Sequence, residues 1–279
     1  TFDLPRLIFG GSEYVKDGLM PLTEWLGPSP WSQRMINIQN SAWDHATIDT
    51  PYGKIPSQNI EVNGEQLQSL CRIYWMTGQN RYKEWAFRLA DYYFIDRLPT
   101  NQDQLRLRDH GCEIISGLSE AYVLAHYKDK ERYETYKPQM HAMLDTVLKH
   151  GTNEDGMFYN VINPKTGNVV NNRISDSWGY TYNAYSTVAR LDDKQEYKQA
   201  VNKVLHNIHN YVDYNWEGDY SADGYADSIE GALNLLNRNP VASGFSFVDQ
   251  SMELMLAIQR PDGIVEGWHG DGNFARTAL

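Results

Sequence analysis

"LCRIYWMTGQNRYKEWAFRLADYYF", residues 70–94, reads as two amphipathic helices around a tight polar turn. Apolar residues recur at i, i+3 and i+4 on both sides of "TGQNRY" at 77–82, the helical period. The layout returns around "YKDKERY" at 127–133, "LDDKQEY" at 191–197 and "LNRNPV" at 236–241, and three of the four turns end in Tyr. The helices that follow them, such as "YKQAVNKVLHNI", are again amphipathic. "SEYVKDGLMPLTEWLGPSPWSQRMINIQNSAW" adds two more helical segments broken by "GPSP". Repetition of shape at a variable period means stacked helical hairpins, as a solenoid or a closed toroid. The expected fold is therefore all-α, an (α/α) toroid of hairpins. No composition shift marks a second domain, so 1–279 is expected to be one domain, and it stops at "DGNFARTAL" with a helix just begun, as if truncated at the C-terminal end.

The connections are unequal. Links such as "IPSQNIEVNG", "RLPTNQDQLRLRDH", "YNWEGDYSADGYAD" and "RPDGIVEGWHGDG" are long, rich in Gly and Asn, and carry most of the Asp and Trp. The turns at the opposite end are short and plain. Loops gathered on one face of a repeat array form its binding face. In the 153–175 link, "GMFYNVINPKTGNVV" alternates about an Asn-Pro-Lys-Thr-Gly turn and predicts a small β-hairpin.

Composition narrows the partner. Net charge is −11 without a long basic run, so nucleic acid is not expected. No stretch reaches the length of a membrane span. The two cysteines, Cys71 and Cys112, sit in apolar helical patterns and are expected buried and unpaired. No zinc spacing, GxGxxG after a strand or GxSxG elbow occurs, so no cofactor and no metal is expected. The 19 Tyr and 8 Trp suit surfaces that are half apolar and half wet, as sugar-binding walls are.

Carboxylates recur at the loop ends of the first helices: Asp109, Asp176, Asp227 and Asp271. If the hairpins close into a ring, these tips converge. Capping is the competing account of each, since Asp stabilises a helix N-terminus by roughly 0.3–1 kcal/mol. At "RISDSWGYTYNAYST", 173–187, the candidates for that cap are Ser175 and Asp176. Capping leaves the company unexplained. Trp178, Tyr180, Tyr182 and Tyr185 crowd Asp176; His110 and Glu113 follow Asp109; Trp268 and His269 precede Asp271, with Asn273 after it. Asp227 and Glu230, at i and i+3, share one helix face; two solvated carboxylates near Lys203 or Arg238 are the competing account.

At these residues the chain resembles the six-hairpin glycosidase superfamily, whose fold is an (α/α)6 toroid. "DGMFYNVINPKTG…SDSWGYTYNAY" is similar to the loop-then-inner-helix segments of its uronic-acid-processing members. "LRDHGCEIISGL" resembles an inner-helix start of unsaturated glucuronyl hydrolases. In those enzymes one Asp protonates the C4=C5 double bond of an unsaturated uronic acid and then activates water, and a second Asp assists. The resemblance implies Asp109 and Asp176 as that pair. It departs from the family where His110 and Gly111 follow Asp109, which leaves Glu113, Asp227 and Glu230 as substitutes.

The reading is a glycoside hydrolase that acts on an acidic oligosaccharide or polysaccharide by carboxylate general acid/base catalysis. Trp178, Tyr180, Tyr182, Trp268, His269, Asp271 and Asn273 would contact the substrate, and Arg108, Arg173 or Arg276 its carboxylate. Polysaccharide lyase chemistry through His110, Tyr180, Tyr182, His269 and Arg173 is the alternative. A non-catalytic carbohydrate-binding protein and a helical-repeat scaffold for another protein are further ones. Secretion or a periplasmic location is favoured over the cytoplasm, and the oligomeric state is left open.

Overall fold

The computed structural model describes residues 3–216, 222–257 and 259–263. They fall into two compact units, Thr1–Gln102 with Glu113–Met143, and Asp103–Cys112 with Leu144–Leu279.

The first unit opens with α1 (Leu4–Glu13), a π-helical turn at Tyr14–Leu19 and α2 (Met20–Leu26). The π turn lies just ahead of Pro21, which lacks an N–H and crowds the carbonyl four residues earlier. Gly27 ends the run with φ 71°, and α3 (Pro30–Asp44) restarts from a capping box between Ser29 and Ser32. In α4 (Ile60–Thr77) Asn59 caps the start by accepting from the amides of Glu61 and Val62, and left-handed Gly78 ends it. Beyond that turn runs α5 (Asn80–Asp91), so the quoted stretch is the expected hairpin. The next pair is α6 (Glu113–Lys128) and α7 (Lys130–Gly151), whose residues to Met143 belong to this unit. A single residue, Asp129, joins them and caps α7 by accepting from the Arg132 amide at 3.1 Å.

Two features fix this packing. Gly64 of α4 and Gly117 of α6 let the two backbones touch: a Cβ on Gly117 would stand 2.5 Å from the Gly64 carbonyl oxygen. The tyrosines that close the turns are anchors. Tyr82 is fully buried and donates to Asn40 Oδ1 at 3.1 Å, and Tyr133 stacks on Tyr122 at 5.0 Å.

In the second unit, β1 (Leu105–Arg106), β2 (Tyr159–Ile162) and β3 (Val169–Ile174) form an antiparallel sheet in the order β1-β2-β3. The β2–β3 pair is the expected hairpin; β1 is an addition, pairing Leu105 with Ile162. Two helix pairs follow, α8 (Trp178–Asp192) with α9 (Gln195–Asn207), and α10 (Ala222–Leu236) with α11 (Ala242–Ala257). Here Tyr197 is the anchor, buried and donating to Asp145 Oδ1 at 2.7 Å. A second glycine crossing joins α8 to α10, where a Cβ on Gly231 would stand 2.8 Å from the Cα of Gly179. Phe158, Trp178, Tyr182, Tyr185, Trp216 and Phe247 fill the core of this unit. Cys71 and Cys112 are buried thiols. No helix among the described residues is long and apolar enough to cross a membrane.

Candidate active site

Asp109 and Asp176 are far apart in sequence, and the sheet of the second unit brings them together. Because β1 and β3 both run antiparallel to β2, they run parallel to each other, and the chain leaves both at the same end of the sheet. Asp109 lies three residues past β1 and Asp176 two past β3. Hydrogen bonds lock the two exits: Leu107 N–H donates to the Asn160 carbonyl at 2.9 Å, Ser175 N–H to the Phe158 carbonyl at 2.8 Å, and Ser175 Oγ to the Leu107 carbonyl at 2.9 Å.

Asp176 is 3% exposed. Burial drives its carboxyl pKa up. The Arg108 guanidinium and the hydrogen bonds from Ser177 draw it back down, and the Asp109 carboxylate pushes it up again. The net shift is upward, toward the protonated acid. Ser177 donates twice to Asp176 Oδ1, from its N–H at 2.8 Å and from Oγ at 3.1 Å. The capping account therefore does not describe this helix start. The residue at the cap position of α8 is Ser177, whose side chain makes no capping bond, and Ser175 is turned to Leu107.

Asp109 is half-buried and does not open a helix, since α6 begins at Glu113. It sits in a turn closed by the Cys112 N–H on the Arg108 carbonyl at 3.1 Å. His110 Nε2 stands 3.2 Å from Asp109 Oδ2, and His110 has a left-handed backbone, φ 66°. A residue other than glycine held there is strained and marks a segment fixed by its surroundings.

The remaining candidates are placed as follows. Asp227 is not at a helix start but inside α10, and it is 2% exposed, so it is not a solvated carboxylate. Glu230, on the same helix, is exposed and accepts the hydroxyl proton of Tyr180 in a short hydrogen bond. The aromatic wall is mostly interior. Trp178 is fully buried with its indole N–H on Ser228 Oγ at 2.8 Å, and Tyr182 is fully buried with its hydroxyl on the Gly156 carbonyl at 2.6 Å. Neither ring presents a face to solvent, because packing against Phe158, Tyr185 and Phe247 consumes both. Tyr180 alone of these rings is partly exposed. Arg173 is exposed at the end of β3 and donates to the Asn215 carbonyl at 2.7 Å. Glu113, the first residue of α6, is buried in the first unit. Trp268, His269, Asp271, Asn273 and Arg276 lie outside the described residues.

Sequence reasoning missed Ser177, read as neither cap nor partner, and two buried carboxyls in α4, Glu61 and Glu65. Those two stand four apart on α4, and that spacing was the available signal.

No protein-family model matches the chain, and no curated protein matches it by sequence. Solved structures match in fold. A possible member of glycoside hydrolase family 105 from Salmonella enterica serovar Paratyphi A superposes with a TM-score of 0.69 at 12% identity, over 96% of this chain and 74% of that one. Cellobiose 2-epimerase from Bacillus thermoamylovorans gives 0.63 at 12%, over 96% and 79%. Unsaturated glucuronyl hydrolase from Bacillus sp. GL1 gives 0.58 at 12%, over 97% and 77%. The chain thus has the all-α helical-hairpin fold of these solved structures.

Proposed function

We propose that the protein is a glycoside hydrolase acting on uronic-acid-containing oligosaccharides or polysaccharides, with Asp176 as proton donor and Asp109 as the second carboxylate. The observation that carries this reading is Asp176 itself: a buried carboxyl displaced toward its acid form, next to a guanidinium and another carboxylate. A general acid must hold its proton near the working pH, and burial among neighbours of both signs is how proteins arrange that. A fully exposed Asp would already have given its proton away. Arg108 offers the cation that a substrate carboxylate needs, and Arg173 offers another at the sheet edge.

On an unsaturated uronide, Asp176 would deliver its proton to C4 of the C4=C5 bond. Water then adds at C5 and returns a proton to the Asp176 carboxylate, and the resulting hemiketal opens and releases the neighbouring sugar. His110 would hold Asp109 in place, and Tyr180 and Glu230 are the partly exposed groups offered to the substrate. Trp178 and Tyr182 would act from below, by fixing the start of α8. For ordinary inverting hydrolysis the two carboxyls should stand roughly 6.5–9.5 Å apart in the complex.

The test is Asp176→Asn beside Asp109→Asn, assayed on a panel of uronate polysaccharides and their lyase digests. Loss of the absorbance of the unsaturated uronate in the wild type, reduced about 10²–10⁴-fold in Asp176→Asn, is the expected result. Full turnover by both variants would overturn the reading. Appearance of that absorbance would instead indicate β-elimination through His110 and Tyr180. An isomerised sugar without cleavage would indicate the chemistry named for the cellobiose 2-epimerase neighbour.

A further inference from the structure

The start of α8 breaks a local rule. Serine at a helix cap position ordinarily turns its oxygen to the free amides of the first turn, and losing that bond costs about 1 kcal/mol. Ser29 does this for α3, where Ser32 N–H donates to Ser29 Oγ at 3.3 Å. Ser177 holds the same position for α8 with φ −83° and ψ 20°, outside the extended backbone of a capping residue, and makes no capping bond. Its hydroxyl is instead a donor, directed to Asp176 Oδ1 together with its own N–H. Such departures from local preference concentrate where function needs them.

The bond has a chemical consequence. An oxygen that accepts two hydrogen bonds is the carbonyl-like oxygen of a carboxylic acid, so the acid proton sits on the other one. Among the described residues Asp176 Oδ2 has no hydrogen bond. The charged groups acting on Asp176 among the described residues are Arg108 and Asp109, with His110 beside Asp109.

We propose that Ser177 is a positioning residue that forgoes capping α8 in order to fix Oδ1 of Asp176, leaving Oδ2 as the oxygen that carries and delivers the proton. This rests on the assignment of Asp176 as proton donor. In the step, the Oδ2–H bond breaks as a C–H bond forms at C4; the carboxylate so formed stays held at Oδ1 and takes the proton back from water. The Ser177 hydroxyl bonds the ionised carboxylate more strongly than the acid, so it sets how readily the proton leaves.

The experiment pairs Ser177→Ala with Ser177→Thr and reads two quantities on the full chain. One is the titration of the Asp176 carboxyl by carbon-13 NMR, assigned by its disappearance in Asp176→Asn. The other is the pH profile of kcat/KM on the uronate panel. Removing the hydroxyl should raise the titration midpoint, and the alkaline limb of the profile with it, by about one pH unit. Thr, which keeps the hydroxyl, should restore both. Melting temperature should barely change in Ser177→Ala, since no cap is lost, whereas Ser29→Ala should lower it. An unmoved midpoint in Ser177→Ala, or a fall in melting temperature as large as that of Ser29→Ala, overturns the inference. A shifted midpoint with an unshifted activity profile supports the role of Ser177 and overturns Asp176 as the proton donor.

Discussion

Both units bury carboxyl groups, and two of them, Glu65 in the first and Asp176 in the second, are held by different means. Glu65 lies mid-helix in α4, 2% exposed, and its Oε2 has no hydrogen-bond partner among the described residues. Burial pushes its pKa from an ordinary 4.5 to about 10; Lys16 opposes, while Asp17, Glu13 and Glu61 add to the rise. Asp176 is as deeply buried, but two donor bonds and Arg108 work against the burial. Burial alone makes a carboxyl that keeps its proton across the working range. Burial opposed by donors and a cation makes one that can give a proton up and take it back, as a general acid must.

The comparison breaks most directly on turnover. Asp176→Asn should lower turnover about 10²–10⁴-fold, whereas Glu65→Gln should leave kcat/KM within about twofold, because an amide replaces a carboxyl that is already uncharged. Stability should behave in the opposite way. Above pH 4.5 the unfolded chain has lost the Glu65 proton and the folded chain keeps it until about pH 10. The stabilisation is therefore complete below 4.5 and is lost as pH rises toward 10, at up to about 1.4 kcal/mol per pH unit. Glu65→Gln removes that slope. Its melting temperature should exceed the wild type's by more at about pH 9 than at about pH 5, measured by calorimetry. A constant difference between the two variants across that range would show that Glu65 ionises freely.

The two glycine crossings sharpen the contrast at a smaller scale. Gly64 meets α6 and Gly179 meets α10 backbone to backbone, so an added methyl has no flexible side chain to displace. Gly64→Ala and Gly179→Ala should each cost about 1–3 kcal/mol or more of stability by overpacking. Only Gly179 is adjacent to Trp178, three residues from Asp176. Displacing that helix start should lower kcat roughly tenfold or more, whereas Gly64→Ala should leave it nearly unchanged in the folded fraction. Equal kcat losses in both would mean that the chemistry depends on the fold at large.

What the sequence made legible follows from the range of the interactions. The hairpins are local: a 3.6-residue period and a Gly or polar turn specify each one, with an anchoring Tyr at three of the four turns, and all appear where the pattern places them. The β2–β3 hairpin is equally local. Strand β1 is two residues long and exists only because β2 is there to pair with it, so no window of sequence announces it. Yet β1 is what carries Asp109 to the exit of β3. The aromatic cluster at 178–185 was legible as a cluster but not as interior, because Trp and Tyr suit a wet wall and a packed core equally, and only tertiary contacts with Phe158 and Phe247 decide between them. Ser177 was hidden for a related reason: its letter predicts a cap, and the donor role depends on a backbone conformation set by the pinned residues before it.

The smallest effect concerns the two left-handed residues other than glycine among the described residues of the second unit, His110 at φ 66° and Asp193 at φ 53°. Asp193 ends α8, a place where left-handed backbone belongs, and its carboxylate is exposed and held by Lys198 at 2.6 Å. His110 has no helix end to account for it, and its ring is on Asp109. Glycine relieves the strain at either position, by about 1–2 kcal/mol for the His110 backbone, less about 0.5–1 kcal/mol for the freer unfolded chain. His110→Gly should therefore melt at or slightly above the wild-type temperature and yet lose activity about tenfold, since Asp109 loses its partner. Asp193→Gly should change neither quantity by much. A His110→Gly variant of full activity would mean that the strained turn serves only to join β1 to α6, and Asp109 would then need no orienting group.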